Sequence, residues 1–110
     1  MSARVEVSPG ICGLDTLVEA KPDQKDPYHI RLTIQSDCEA VRRLAAHLTE
    51  VDAFQEISFH NGRGPGTLAC SAEHLNHAAC PVQAGIIKAI EVAAGLALPR
   101  DAIIKVSKSE

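Results

Sequence analysis

Tryptophan is absent from this sequence, and its only aromatic side chains besides histidine are Tyr28, Phe54 and Phe59. So few rings leave little for base stacking, and a formal charge of −3 lacks the basic excess that phosphate recognition requires, which argues against nucleic acid as a partner. No apolar run approaches the roughly 20 residues needed to cross a bilayer. Met1-Ser2-Ala3-Arg4 opens into polar alternation rather than a signal-peptide core, so a cytoplasmic protein without a membrane partner is expected. The motifs CxxC, HExxH, GxSxG and the dinucleotide-binding glycine pattern are also missing. Gly62-Arg63-Gly64-Pro65-Gly66 lacks the Gly-Lys-Ser/Thr ending of a phosphate loop and reads as a flexible hairpin connection.

What is present bounds the fold. A chain of 110 residues is the size of one domain, here taken as 1–110, and 45% apolar content supplies a single, largely aliphatic core. Arg4–Val7 alternates as a short strand and stops at Ser8-Pro9-Gly10. Segments 14–20 and 28–36 predict a hairpin, with Ile30, Leu32 and Ile34 on one face and His29, Arg31, Thr33 and Gln35 on the other. Ser36-Asp37-Cys38-Glu39 fits a capping box that opens a helix to about Thr49, with Val41, Leu44, Ala45 and Leu48 at helical spacing.

Segments 55–60 and 67–72 read as two further strands around the glycine-rich loop. Pro81 suits a first helical position, and Val82, Ile86, Ala89, Ile90 and Ala93 form an apolar stripe ending at Gly95. Residues 102–106 predict a last strand. The sum is an α+β two-layer sandwich, a largely antiparallel sheet with two main helices on one face.

The four cysteines carry the chemical question, because in a reducing compartment they are metal-binding, reactive or simply buried. Cys12 lies in a Pro-Gly-Ile-Cys-Gly loop, Cys38 in the first turn of one helix, and Cys80 at the expected N-cap of another with His77 just upstream. Helix N-termini favour thiolates. Cys70 reads as core. Each of the other three also has a packing role available, since free cysteine is among the most buried residue types.

Pro-Gly-Ile-Cys12-Gly, Ser-Asp-Cys38, His77-Ala-Ala-Cys80-Pro-Val and the segment from Glu91 to Pro99 resemble a small family of uncharacterised cysteine-containing domains from anaerobic prokaryotes. That resemblance spans nearly the whole chain and implies no established activity. The spacing of Cys12, Cys38 and Cys80 is also similar to that of the U-type iron–sulfur assembly scaffolds, which place cysteines in a Cys-Gly turn, at a helix start and before a C-terminal helix. Leu14 and Ala79 stand where those scaffolds carry an aspartate and a histidine.

The leading expectation is a small protein with a thiolate-rich site, in a scaffold, carrier or electron-transfer role. Its ligands would be Cys12, Cys38 and Cys80, with His77 as fourth and His74 in reserve. Soft thiolates select an iron–sulfur cluster or zinc. The alternatives are a non-catalytic protein-interaction or regulatory domain with structural cysteines, and a thiol redox protein acting through Cys80 or Cys38.

Overall fold

The computed structural model describes residues 1–109. In chain order the elements are β1 Ala3–Val7, β2 Thr16–Pro22, β3 His29–Ser36, α1 Glu39–His47, β4 Glu50–Asp52, α2 Ala53–Glu56, α3 Gly66–His74 and α4 Val82–Ala93. The strands form one sheet in the order β1-β2-β3-β4, and each neighbouring pair is antiparallel. This is the expected α+β architecture, with helices packed on one side of an antiparallel sheet.

Strict alternation sets the sheet's two faces. Val18 and Ala20 of β2 pair with Ile34 and Leu32 of β3, and with Ile30 they point toward the helices. Arg31, Thr33 and Gln35 point to solvent, as the period-2 pattern predicts. Against that apolar face lie Val41 and Leu44 of α1 and the whole stripe Val82, Ile86, Ala89, Ile90 and Ala93 of α4, all buried.

Helix α4 approaches the sheet unusually closely. Gly85 faces the end of β1, where a Cβ would stand 2.5 Å from Val7 Cγ2 and 3.5 Å from Val5 Cγ1. The helix ends as expected: Gly95 takes φ +75°, its N–H donates to Val92 O, and Leu96 N donates to Glu91 O, which completes a Schellman motif.

Four expectations fail, each for a physical reason. Residues 67–72 are helical because the carboxylate of Glu56 caps the N-terminus of α3, and Thr67 and Ser71 then face inward four residues apart. A strand over 55–60 does not form, because Asp52 caps α2 through Phe54 N at 3.0 Å and turns the chain at once. The strand in that region is β4, which ends at Asp52, three residues before the expected one begins. Residues 98–109 form neither helix nor strand, so the expected strand 102–106 has no partner within the described residues.

The fourth correction concerns the caps. Cys38, not Ser36, is the N-cap of α1. Ser36 ends β3, accepts a bond from Cys38 N at 3.0 Å, and receives Thr16 Oγ1 at 2.7 Å. Likewise Pro81 occupies the N-cap of α4 in helical geometry, leaving Cys80 one residue outside.

On the outer edge, His29 pairs with Glu50 at 2.9 Å across β3 and β4. The hydrogen bond to the Glu50 carboxylate raises the His29 pKa above 6.5 against an opposing cost of desolvation, and the same bond lowers Glu50 below 4.5. A raised histidine stabilises below its unfolded pKa and loses that contribution as pH rises through the folded one. A lowered glutamate stabilises above its unfolded pKa and loses it as pH falls through its folded one. The pair therefore works best between about 4.5 and 6.5. NMR titration should place the His29 midpoint above 6.5. Glu50→Gln should bring it down, and an unmoved midpoint would show that the bond is not what raises it.

Candidate functional site

The loops that carry the thiols meet one end of the sheet. Val7 pairs with Thr16, and Thr16 with Ser36, so the β1–β2 loop holding Cys12 and the junction holding Cys38 leave from the same end. Gly85 lies over Val7, while α4 also contacts α2 at the far end, beyond the pairing of His29 with Asp52. The start of α4, preceded by Cys80, is thus at the thiol end.

Sharing an end does not make a ligand set. Among the described residues no three His, Cys, Asp or Glu side chains are grouped to hold a metal ion. Cys12 is exposed on its loop, where Gly13 N closes a turn onto Gly10 O at 3.0 Å. Cys38 and Cys80 are half-buried and pack against the apolar core, and Cys80 N donates to His77 O at 3.2 Å while the His77 ring is exposed. As placed, Cys12, Cys38, Cys80 and His77 do not fit a four-coordinate thiolate site, which needs all donors within roughly 2.3 Å of one ion.

His74, the reserve ligand, is engaged elsewhere: its ring stacks on His47 of α1 with centroids 4.7 Å apart and planes 6° apart. Arg43 donates to the His74 carbonyl at 3.4 Å. These contacts pin α3 to α1. Nor do the thiols line the groove at this end, a cleft of about 490 Å³ bordered by the carboxylates of Glu6, Asp15 and Asp37.

Cys70 sits within α3, half-buried against the core, and burial raises its thiol pKa with a smaller contribution from Glu73. Thiolate supply and access then act together. In a timed alkylation read by mass spectrometry at neutral pH, Cys12 should label first and Cys70 last. Equal rates at the two would mean that burial does not protect Cys70.

Sequence reasoning missed two features. Glu56 is only 5% exposed, and its carboxylate accepts bonds from Gly66 N at 3.2 Å, Thr67 N at 2.7 Å and the Thr67 hydroxyl. Its only signal in the sequence is the acid itself, ten residues from the helix that it caps. The second feature is the C-terminal segment, in which Leu98, Ile103, Ile104 and Val106 are 75 to 90% exposed. Aliphatic residues this large and this close together are unusual on a free surface.

The sheet offers an element of matching character. β1 lies at an edge, and along one side its backbone N–H and C=O groups face no strand of the sheet. Fold and surface together define a small two-layer α+β domain with an open sheet edge and an exposed apolar segment after its last helix. The chain belongs to a family of unknown function, DUF6951, whose model matches residues 3–106. That span runs from the first residue of β1 to Val106, so both the open edge and the exposed segment lie inside the family's domain. No curated protein and no solved structure matches the chain. No helix among the described residues is long and apolar enough to cross a membrane.

Proposed function

We propose that this chain is a non-catalytic protein-interaction domain, in which the segment 98–106 is the contacting element and Cys38, Cys70 and Cys80 are structural. The observation that carries this reading is the exposure of Leu98, Ile103, Ile104 and Val106 on a segment that forms no part of the core. Burying a single aliphatic side chain of that size stabilises by about 1.5–3 kcal/mol, so several left in water favour association. The half-buried packing of Cys38, Cys70 and Cys80 fits the same reading.

The test is the size of the native particle. In a gentle extract of cells that make the protein, the full chain should migrate well above its monomer mass, and truncation after Pro99 should return it to monomer. A full chain that runs as a monomer in the extract would sink the reading.

A thiolate-bound zinc ion or iron–sulfur cluster is the second reading, supported by the common end of the sheet near which the Cys12 loop, the Cys38 junction and the start of α4 after Cys80 lie. It requires the loops to close on one another. Elemental analysis with an absorption spectrum on anaerobically purified protein tests it: stoichiometric metal that is lost in Cys38→Ser would support it, and metal-free protein would end it.

A further inference from the structure

Resting on the interaction-domain reading, we infer that the partner is a second copy of this chain: residues 102–106 of each copy add as a fifth strand to the open β1 edge of the other. The two segments match in length and pattern. β1 reads Ala3-Arg4-Val5-Glu6-Val7 and the exposed segment reads Ala102-Ile103-Ile104-Lys105-Val106. In a strand, alternate residues share a face, so Ala102, Ile104 and Val106 would continue the apolar layer formed by Ala3, Val5 and Val7. Ala3 and Val5 are only partly covered in the single chain, which leaves apolar surface at this edge for an added strand to bury.

Reach permits exchange. The molecule measures 52 Å along its long axis against 30 and 27 Å across, and an extended run of ten residues spans about 33 Å. The segment leaves from the end of α4 that lies near α2, the end of the sheet where β1 begins. Residues 98–109 are all exposed, so the segment is not packed on the body. Two copies that each offer one strand and one edge satisfy both needs through a two-fold axis, which closes the assembly at a dimer.

Charge sets the direction. Parallel alignment puts Lys105 beside Glu6, whereas antiparallel alignment puts Lys105 against Arg4. Opposite charges on neighbouring strands stabilise and like charges do the reverse. Glu6 is exposed, with Arg4 its ion-pair neighbour at 3.5 Å, so its carboxylate is within reach of an incoming lysine.

The experiment uses the purified full chain alone. Sedimentation from micromolar to millimolar concentration should give a dimer, and Ile104→Lys, a change at an exposed residue that leaves the core untouched, should give a monomer that unfolds at the temperature of the parent diluted to its monomeric state. Amide exchange in β1 should be slow in the dimer and faster in the variant. A zero-length cross-linker applied to a mixture of light and heavy-isotope chains should join Lys105 of one copy to Glu6 of the other. A purified chain that stays monomeric, or a dimer indifferent to Ile104→Lys, overturns the inference. If that monomer coexists with a large tail-dependent particle in the extract, the interaction reading survives with a different partner; if the extract also holds only monomer, both fall.

Discussion

Glu56→Ala should lower the stability of the domain by about 3–5 kcal/mol, because it removes the acceptor of three hydrogen bonds and leaves the buried Thr67 N–H and hydroxyl without partners. The carboxylate also faces the positive end of α3, where a negative charge is favourable. For a domain of this size the melting temperature should fall by well over about 10 °C. Glu56→Gln keeps the shape but turns a donor toward Gly66 N–H, so it should cost less than alanine and more than nothing. Glu73→Ala, at a largely exposed acid on the same helix, is the control and should change little. If thermal and denaturant unfolding place Glu56→Ala within about 0.5 kcal/mol of the parent, the surface-mutation scale, the cap is not holding α3.

Gly85→Leu should cost about 3 kcal/mol or more, and the smaller Gly85→Ala is the informative change. Alanine in place of glycine favours a helix by about 1 kcal/mol, which opposes the steric term. The new Cβ would stand 2.5 Å from Val7 Cγ2, and Val7 is buried and β-branched, with little freedom to turn away. Overpacking of this kind costs about 1–3 kcal/mol, so Gly85→Ala should come out destabilising in spite of its propensity gain. Val7→Ala opens the space, and the double variant should then be more stable than the sum of the single changes implies, by at least about 1 kcal/mol. Additive effects would mean that α4 and β1 are not in the close contact described.

The placement of the thiols shows where sequence reasoning stops. That Cys12, Cys38 and Cys80 flank loops and helix starts is local information, and the topology does send all three toward one end of the sheet. Whether donors converge within bonding distance depends on side-chain directions set by neighbouring elements. Cys38 and Cys80 turn toward the core and Cys12 toward solvent. His74 shows the same limit: its stacking on His47 joins residues from α1 and α3 that no spacing rule connects.

The sequence by itself determined the elements whose period is unambiguous. These are the β2–β3 hairpin with its two faces, the body of α1, and the α4 stripe, because in each the hydrophobic pattern has one clear period, and in α4 Gly95 closes the helix where that pattern ends. Tertiary structure decided the rest. The run 67–72 is short enough to suit strand or helix, and the capping carboxylate of Glu56 selects the helix. Residues 102–106 have the pattern of a strand, but a strand exists only where another backbone pairs with it, and no other strand of the described chain does so. Helical hydrogen bonds close within one segment and can be read from it, whereas sheet edges, long-range caps and ligand sets require residues that the sequence places far apart.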